Sequence, residues 1–332
     1  MMHNICNVCL AAGEPARSRR RDAGFEPPGL GQCLLVLLVL AASAGLVAQV
    51  APAAPVAAAP AIQGVWLGAE LPGETPVQFA GPQLDSLSHW VETLAFSPDG
   101  REMFLGIGNA TYSSSRLMWT RQTSGGIWAA WTTPPFVSDF ILSGEPVYAA
   151  DGNSLTFTGK KTWGDSNDLW VVRRSGDGWD APEALPAPIN TATANEFRAC
   201  WMPDGSLYFG SMREGPMHIY HATRDPAGQW AVQALPAALN LLSTEGDPCV
   251  APDGRFIIFY GGQSQSDLSV SFADGAGGWT TPARLGSAFN SMADEYGACL
   301  SADGKFLFFT RHTRQRNTIL WVAVSAIDQL RP

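Results

Sequence analysis

Five glutamates recur along this chain at intervals that could build a ring of carboxylates. They are Glu92, Glu145, Glu196, Glu245 and Glu295, spaced 53, 51, 49 and 50 residues apart, and each is followed six to eight residues later by Asp-Gly. Carboxylates gathered around a narrow opening repel and raise one another's pKa values. They could share a hard cation such as Ca2+, which takes several oxygen ligands; no other cofactor signature is present. Alternatively, Glu196 with Glu245 or Glu295 could act as acid and base on a glycosidic bond. The competing reading is structural: a Glu in every repeat accepts hydrogen bonds from its own loop, since buried polar groups are there to satisfy partners. A second set of residues varies between repeats. Lys160, Arg213, Arg311 and His312 end the second apolar run of their units, and Arg198 and Asp247 stand two residues after Glu196 and Glu245. Tyr148, Trp163, Tyr260 and Tyr296 add aromatic surface. Aromatics stack on sugars and Arg pairs with carboxylates, so this mixture suits a sugar or an anionic oligosaccharide. The expected ligand-binding residues are therefore Glu92, Glu145, Lys160, Arg198, Arg213, Tyr260, Arg311 and His312. They could equally be solvated loop ends or bridges to a neighbouring repeat. No His-Glu-x-x-His, serine elbow or phosphate loop occurs.

Elements that would position these residues are legible in each unit. A period near 50 fits one propeller blade of four short strands. Each Asp-Gly is a hairpin signal between a small apolar run, such as Phe197-Arg-Ala-Cys-Trp, and a β-branched or aromatic run, such as Phe256-Ile-Ile-Phe-Tyr. A third run and a Gly-rich turn lead to Trp128, Trp179, Trp230 or Trp279, and a fourth strand carries Pro and Leu, as in Trp179-Asp-Ala-Pro-Glu-Ala-Leu185. The fifth unit stops after three strands. Val77-Gln-Phe-Ala-Gly-Pro-Gln-Leu84 is the expected substitute, closing the ring and covering a sheet edge. The fold class is all-β, a five-bladed β-propeller closed by an N-terminal strand. A sixth blade would need about 25 residues more than 62–91 supply.

The run Ile189-Asn-Thr191…Asn195-Glu196…Pro203-Asp-Gly-Ser-Leu-Tyr-Phe209, with Phe96-Ser-Pro-Asp-Gly-Arg101, resembles the WD40-like PD40 repeats of TolB-like propellers. The resemblance covers about 92–325. It implies an extracytoplasmic β-propeller that works as a binding module, and it carries over no catalytic residue.

Residues 1–49 read as a targeting segment. Arg17, Arg19, Arg20 and Arg21 precede an apolar run, Cys33–Ala48, and an Ala/Pro linker follows at 50–61, leaving 62–332 as the propeller. Basic, apolar, then small residues mark a secretory signal, so the protein is expected in the periplasm or secreted, touching a membrane only if that segment stays uncleaved. A net charge of −9 with few basic runs argues against nucleic acid as a partner. Cys200, Cys249 and Cys299 each stand four residues before their Asp-Gly, a slot filled by Ala95 and Val147 in the first two units, which marks a small buried position. The expected function is a monomeric binding module for a carbohydrate or envelope partner on the glutamate-bearing face. The alternatives are a hydrolase or lyase acting on a glycosidic bond and a protein-interaction platform.

Overall fold

A computed structural model describes residues 62–111, 113–240 and 244–331. The expected targeting segment and linker lie outside them. Strand β1 (Val77–Gln78) is followed by helix α1 (Gly81–Leu87). Blade 1 is β2 (Val91–Phe96), β3 (Glu102–Ile107) and β4 (Arg116–Arg121). Blade 2 is β5 (Leu142–Tyr148), β6 (Ser154–Lys160), β7 (Asp168–Ser175), β8 (Gly178–Trp179) and β9 (Glu183–Ala184). Blade 3 is β10 (Glu196–Trp201), β11 (Leu207–Ser211), β12 (His218–Arg224) and β13 (Trp230–Ala234). Blade 4 is β14 (Glu245–Val250), β15 (Phe256–Gly261), β16 (Asp267–Phe272) and β17 (Ala283–Arg284). Blade 5 is β18 (Asp294–Leu300), β19 (Phe306–His312) and β20 (Asn317–Ala323), and a short helix α2 (Ser325–Asp328) ends the described chain. Each blade is an antiparallel sheet, so the fold is the five-bladed propeller read from the repeat. Among the described residues no helix is long and apolar enough to cross a membrane.

The ring closes as expected. Strand β1 pairs with β20, Val77 opposite Trp321 and Gln78 opposite Leu320, and Phe79 N–H continues the ladder to Ile319 O at 2.9 Å. The closing segment is shorter than the sequence suggested: Ala80 adopts a left-handed conformation and residues 81–87 turn into α1. What seals the joint is aromatic packing. Phe79 is fully buried, with its ring 5.1 Å from Trp321, 5.2 Å from Phe308 and 5.7 Å from Phe96, so blades 5 and 1 share one apolar cluster.

The Asp-Gly turns are uniform because each Asp closes a local ring. Asp99, Asp151, Asp204, Asp253 and Asp303 each accept the N–H two residues on, at 2.9–3.2 Å, and the following Gly holds φ between 67° and 82°. Outer strands are less regular. In blade 2 Pro182 lacks an N–H to donate and the strand breaks into β8 and β9. Blade 3 has no Pro there and keeps a continuous β13. Each of these blades is then stapled by one asparagine. Asn190 accepts from Leu169 N–H and donates to Leu169 O and Leu185 O at 2.8–2.9 Å, and Asn240 and Asn290 repeat the pattern one and two blades on. Asn190→Ala would orphan three backbone groups in a buried place and is expected to cost about 2–3 kcal/mol in urea unfolding. A loss below half a kcal/mol would show that water replaces the staple.

Candidate functional site at the channel and its mouth

Strand alternation puts the starts of β5, β10, β14 and β18 and the loops after β6, β11, β15 and β19 on one face. The five glutamates do not occupy one position there. The slot that begins the inner strand is defined by an N–H bonded to the preceding blade: Glu196 to Asn167 O, Glu245 to Met217 O and Glu295 to Ser266 O, at 2.8–3.0 Å. In blade 2 that bond comes from Ser143, to Ser115 O at 3.0 Å. Glu145 therefore sits two residues further along, and Glu92 lies at the β2–β3 register shift between Val91 and Thr93. The intervals of 49 and 50 are in register, and those of 53 and 51 are not.

The three glutamates in the shared slot are fully engaged. Glu196, with 0% exposure, accepts from Thr191 N–H and hydroxyl at 3.1 Å and from Ser211 at 2.8 Å, with Arg213 at 3.6 Å. Glu295, also 0% exposed, accepts from Ser291 N–H and hydroxyl at 3.0 and 2.6 Å and from Arg311 Nε at 2.7 Å. Glu245 is 1% exposed and lies 3.0 Å from His218 Nδ1. Their burial weighs against the expectation that these carboxylates act as acid and base, since none is more than 1% exposed. Glu196 and Glu295 fasten the blade-to-blade connection to the end of the second strand, and Glu245 meets the first residue of β12 in the preceding blade.

The cationic candidates divide similarly. Arg213 donates to Pro188 O and Ile189 O at 3.0 and 2.6 Å and lies over Tyr220, and Arg311 donates to Phe289 O at 2.9 Å, so both clamp the connection and are not offered to a ligand. His312 is 6% exposed with Nδ1 2.7 Å from Asn317 Oδ1, and Tyr260 is 5% exposed with its hydroxyl on Met217 Sδ. Neither can serve as an open contact. Tyr296 is equally buried, and Tyr148 lies at the Asp-Gly end beside Phe104 and Trp179. Of the four aromatics, Trp163 alone faces solvent, at 72% exposure.

Below the shared slot, each inner strand of blades 2–5 has a register shift, and its first residue takes a left-handed conformation. These residues are Glu145 (φ 52°), Arg198 (38°), Asp247 (50°) and Gly297 (69°). Only the last is a residue that adopts φ > 0 without strain. For the others the cost is of order 1–3 kcal/mol each, and strain of this kind clusters at functional sites. Together they form a charged cluster. Glu145 Oε2 accepts from Thr158 at 2.6 Å and from Arg198 N–H at 3.0 Å. Arg198, 1% exposed, donates Nη2 to Ala298 O at 2.9 Å and Gly297 O at 3.3 Å, and Asp247 Oδ2 accepts Gly297 N–H at 2.9 Å. Two buried groups here, Arg198 Nη1 and Thr93 Oγ1, make no hydrogen bond. Glu92 joins from blade 1, held by Ser115 at 2.8 Å. Its carboxylate fits only because residue 108 is glycine, since a Cβ there would lie 1.7 Å from Glu92 Oε1.

Electrostatics follow from this crowding. Burial, with Glu145 and Asp247 adding repulsion, pushes Glu92 up to about 8. Burial and then Asp247 push Glu145 up to about 7, against the opposing effects of Thr158 and Arg198. Burial also raises Asp247, while Arg198 and the Gly297 N–H pull it back. Burial works against the charge on Arg198, yet Asp247 and Glu145 hold it protonated. The sequence had placed Arg198 and Asp247 on this face, but neither the redirection by the bulge nor Thr93 and Thr158 was foreseen. The signal available was spacing: Glu145, Arg198 and Asp247 all stand six residues before their Asp-Gly. Cys200, Cys249 and Cys299 follow the bulge in one register position, and burial raises all three thiols, Cys200 to about 11. This marks them as packing groups. Among the described residues no three of His, Cys, Asp or Glu are grouped to hold a metal ion.

No family model matches the chain, and no curated protein matches it. It is similar to the solved structure of a putative TolB from Agrobacterium tumefaciens, at 16% identity and a TM-score of 0.49, over 71% of this chain and 78% of that one. It is also similar to TolB from Acinetobacter baumannii (15% identity, TM-score 0.42, 69% of this chain) and covers 54% of that chain. A gluconolactonase from Xanthomonas campestris is similar at 12% identity and a TM-score of 0.42, over 70% of this chain and 76% of that one. No residue role passes across likenesses this distant. The chain is a five-bladed β-propeller, similar in structure to TolB proteins.

Proposed function

We propose that this protein is an exported binding module that holds an anionic carbohydrate or cell-envelope component on the glutamate-bearing face. The observation that carries this reading is Trp163. It stands 72% exposed in the loop after β6, with Lys160 Nζ 5.6 Å from its ring centre. Beside it Lys161 is bonded to Asp139 at 2.7 Å, and Ile141, 37% exposed, is bonded to Lys160 O at 3.0 Å. An indole left in water next to the Lys160 ammonium offers a stacking surface and a charge for a sugar carboxylate or phosphate. Export is supported by the basic, apolar and small-residue order of residues 17–48. A single chain is sufficient for this site, and an envelope protein bearing such groups is an equivalent partner.

The test is thermal shift of the full chain against acidic and neutral oligosaccharides. A ligand at 100 times its Kd adds about 2.7 kcal/mol. Trp163→Ala is expected to weaken binding of the acidic probe at least tenfold while leaving unfolding within about 0.5 kcal/mol, as a surface substitution does. Binding unchanged in Trp163→Ala, or no shift with any acidic probe, would sink the reading.

A further inference from the structure

We infer that blade 4 carries a separate pocket for a neutral sugar with adjacent hydroxyl groups. This deepens the carbohydrate reading and rests on it, but uses other residues. The pocket is an open cleft of about 460 Å³ between the β15–β16 loop and the outer strand β17. That volume falls within the range of small-molecule sites. Its lining, Gly262, Gln263, Ser264, Asp267, Ser269 and Arg284 among others, contains no apolar side chain. A drug-like apolar ligand would find nothing to bury against. A ring bearing hydroxyls would find a carboxylate to donate to, a guanidinium and an amide to accept from, and hydroxyls that do either.

The groups are held ready. Arg284 Nη2 and Asp267 Oδ2 lie 2.7 Å apart, with side-chain exposures of 60% and 17%, so the pair is nearly neutral as a unit while its outer edge stays open. This neutrality argues against a charged sugar and separates the pocket from the lysine-flanked Trp163. The loop is pinned to the next blade by Gln265, whose Nε2 donates to Ser291 O and Ala293 O at 2.8 Å each. It is drawn so tight that a Cβ on residue 262 would fall 1.8 Å from Gln265 O. Loops fixed before binding lose less conformational entropy on binding. The connection that Gln265 grips carries Met292 between Ser291 and Ala293, 98% exposed.

The experiment is calorimetric titration of the full chain with D-glucose, D-galactose, D-mannose and D-glucuronate, repeated on Asp267→Asn, Ser269→Val and Trp163→Ala. At least one neutral hexose should bind more tightly than the uronate. Asp267→Asn should weaken it about tenfold or more, because a charged acceptor is lost without a change of shape. Ser269→Val should weaken it by filling the pocket, and Trp163→Ala should leave it unchanged. If no neutral hexose binds, or if both blade 4 variants bind as the unaltered chain does, the pocket is an empty cleft and the inference is overturned. Loss in Trp163→Ala alone would assign the sugar to the blade 2 site and overturn the blade 4 assignment. Conversely, hexose binding at blade 4 with no acidic ligand at blade 2 would overturn the proposed function and leave the pocket standing.

Discussion

Arg198→Met is expected to destabilise this protein by about 3–5 kcal/mol, the range for removing one partner of a buried ion cluster. Arg198 is 1% exposed and, among the described residues, is the cation that faces Glu145 and Asp247. Methionine would fill much of the volume but leave Asp247 without its compensating charge and Gly297 O and Ala298 O without their donor. Because the guanidinium reaches blade 5 from blade 3, the loss would be felt across the ring. Arg198→Lys keeps the charge but cannot span both carbonyls, so it should fall between the two. Urea unfolding followed by tryptophan fluorescence provides the readout. A loss under about 1 kcal/mol for Arg198→Met would mean that the channel charges are compensated by solvent, and the strained conformations at 145, 198 and 247 would need another reason.

Stability should also fall as pH rises from about 5 to 9, and Glu92→Gln should remove much of that slope. The direction follows from proton counting. Glu92 and Glu145 ordinarily titrate near 4.5, and in the folded protein they are pushed up to about 8 and about 7. Below the unfolded value both states hold the protons, and these groups cost nothing. Between 4.5 and 8 the unfolded chain releases protons that the folded chain retains, so each unit of pH subtracts up to about 1.4 kcal/mol per group. Above 8 both states are ionised and the cost levels off. Glutamine keeps the Ser115 hydrogen bond without a titrating proton. Unfolding free energies at pH 5, 7 and 9 decide the matter. A flat profile in the unaltered chain, or one equally steep in Glu92→Gln, would locate the channel protons elsewhere.

The repeat itself told which residues make turns, because an Asp-Gly turn is closed by bonds within five residues and needs no tertiary partner. The repeat also made the small slot of Cys200, Cys249 and Cys299 and the closure by Val77 readable, from spacing and from the strand that the fifth unit lacks. The candidate site was legible only in part. Strand alternation put Lys160 and Trp163 at the loop after β6, where the structure has them. Arg213, Arg311, His312 and Tyr260 were on the glutamate-bearing face, yet their side chains turn inward to carbonyls, an amide and a thioether that lie 5 to 43 residues away in the chain. Exposure is a property of such neighbours, and a sequence pattern with period two cannot report it.

Blade number and the face on which loops gather were thus determined by the sequence, through local turn chemistry and apolar alternation, whereas the outer strands were not: blade 1 keeps three strands and blade 2 splits its fourth. Tertiary structure decided what each charge does. A one-residue bulge moved Glu145, Arg198 and Asp247 from the rim into the channel and separated them from Glu196, Glu245 and Glu295. The physical reason is that side-chain direction in a strand reverses with every residue, so a bulge that costs a few kcal/mol re-aims a carboxylate completely. Whether a carboxylate then holds its proton depends on burial and on charges contributed by other blades, which come together only when the ring closes.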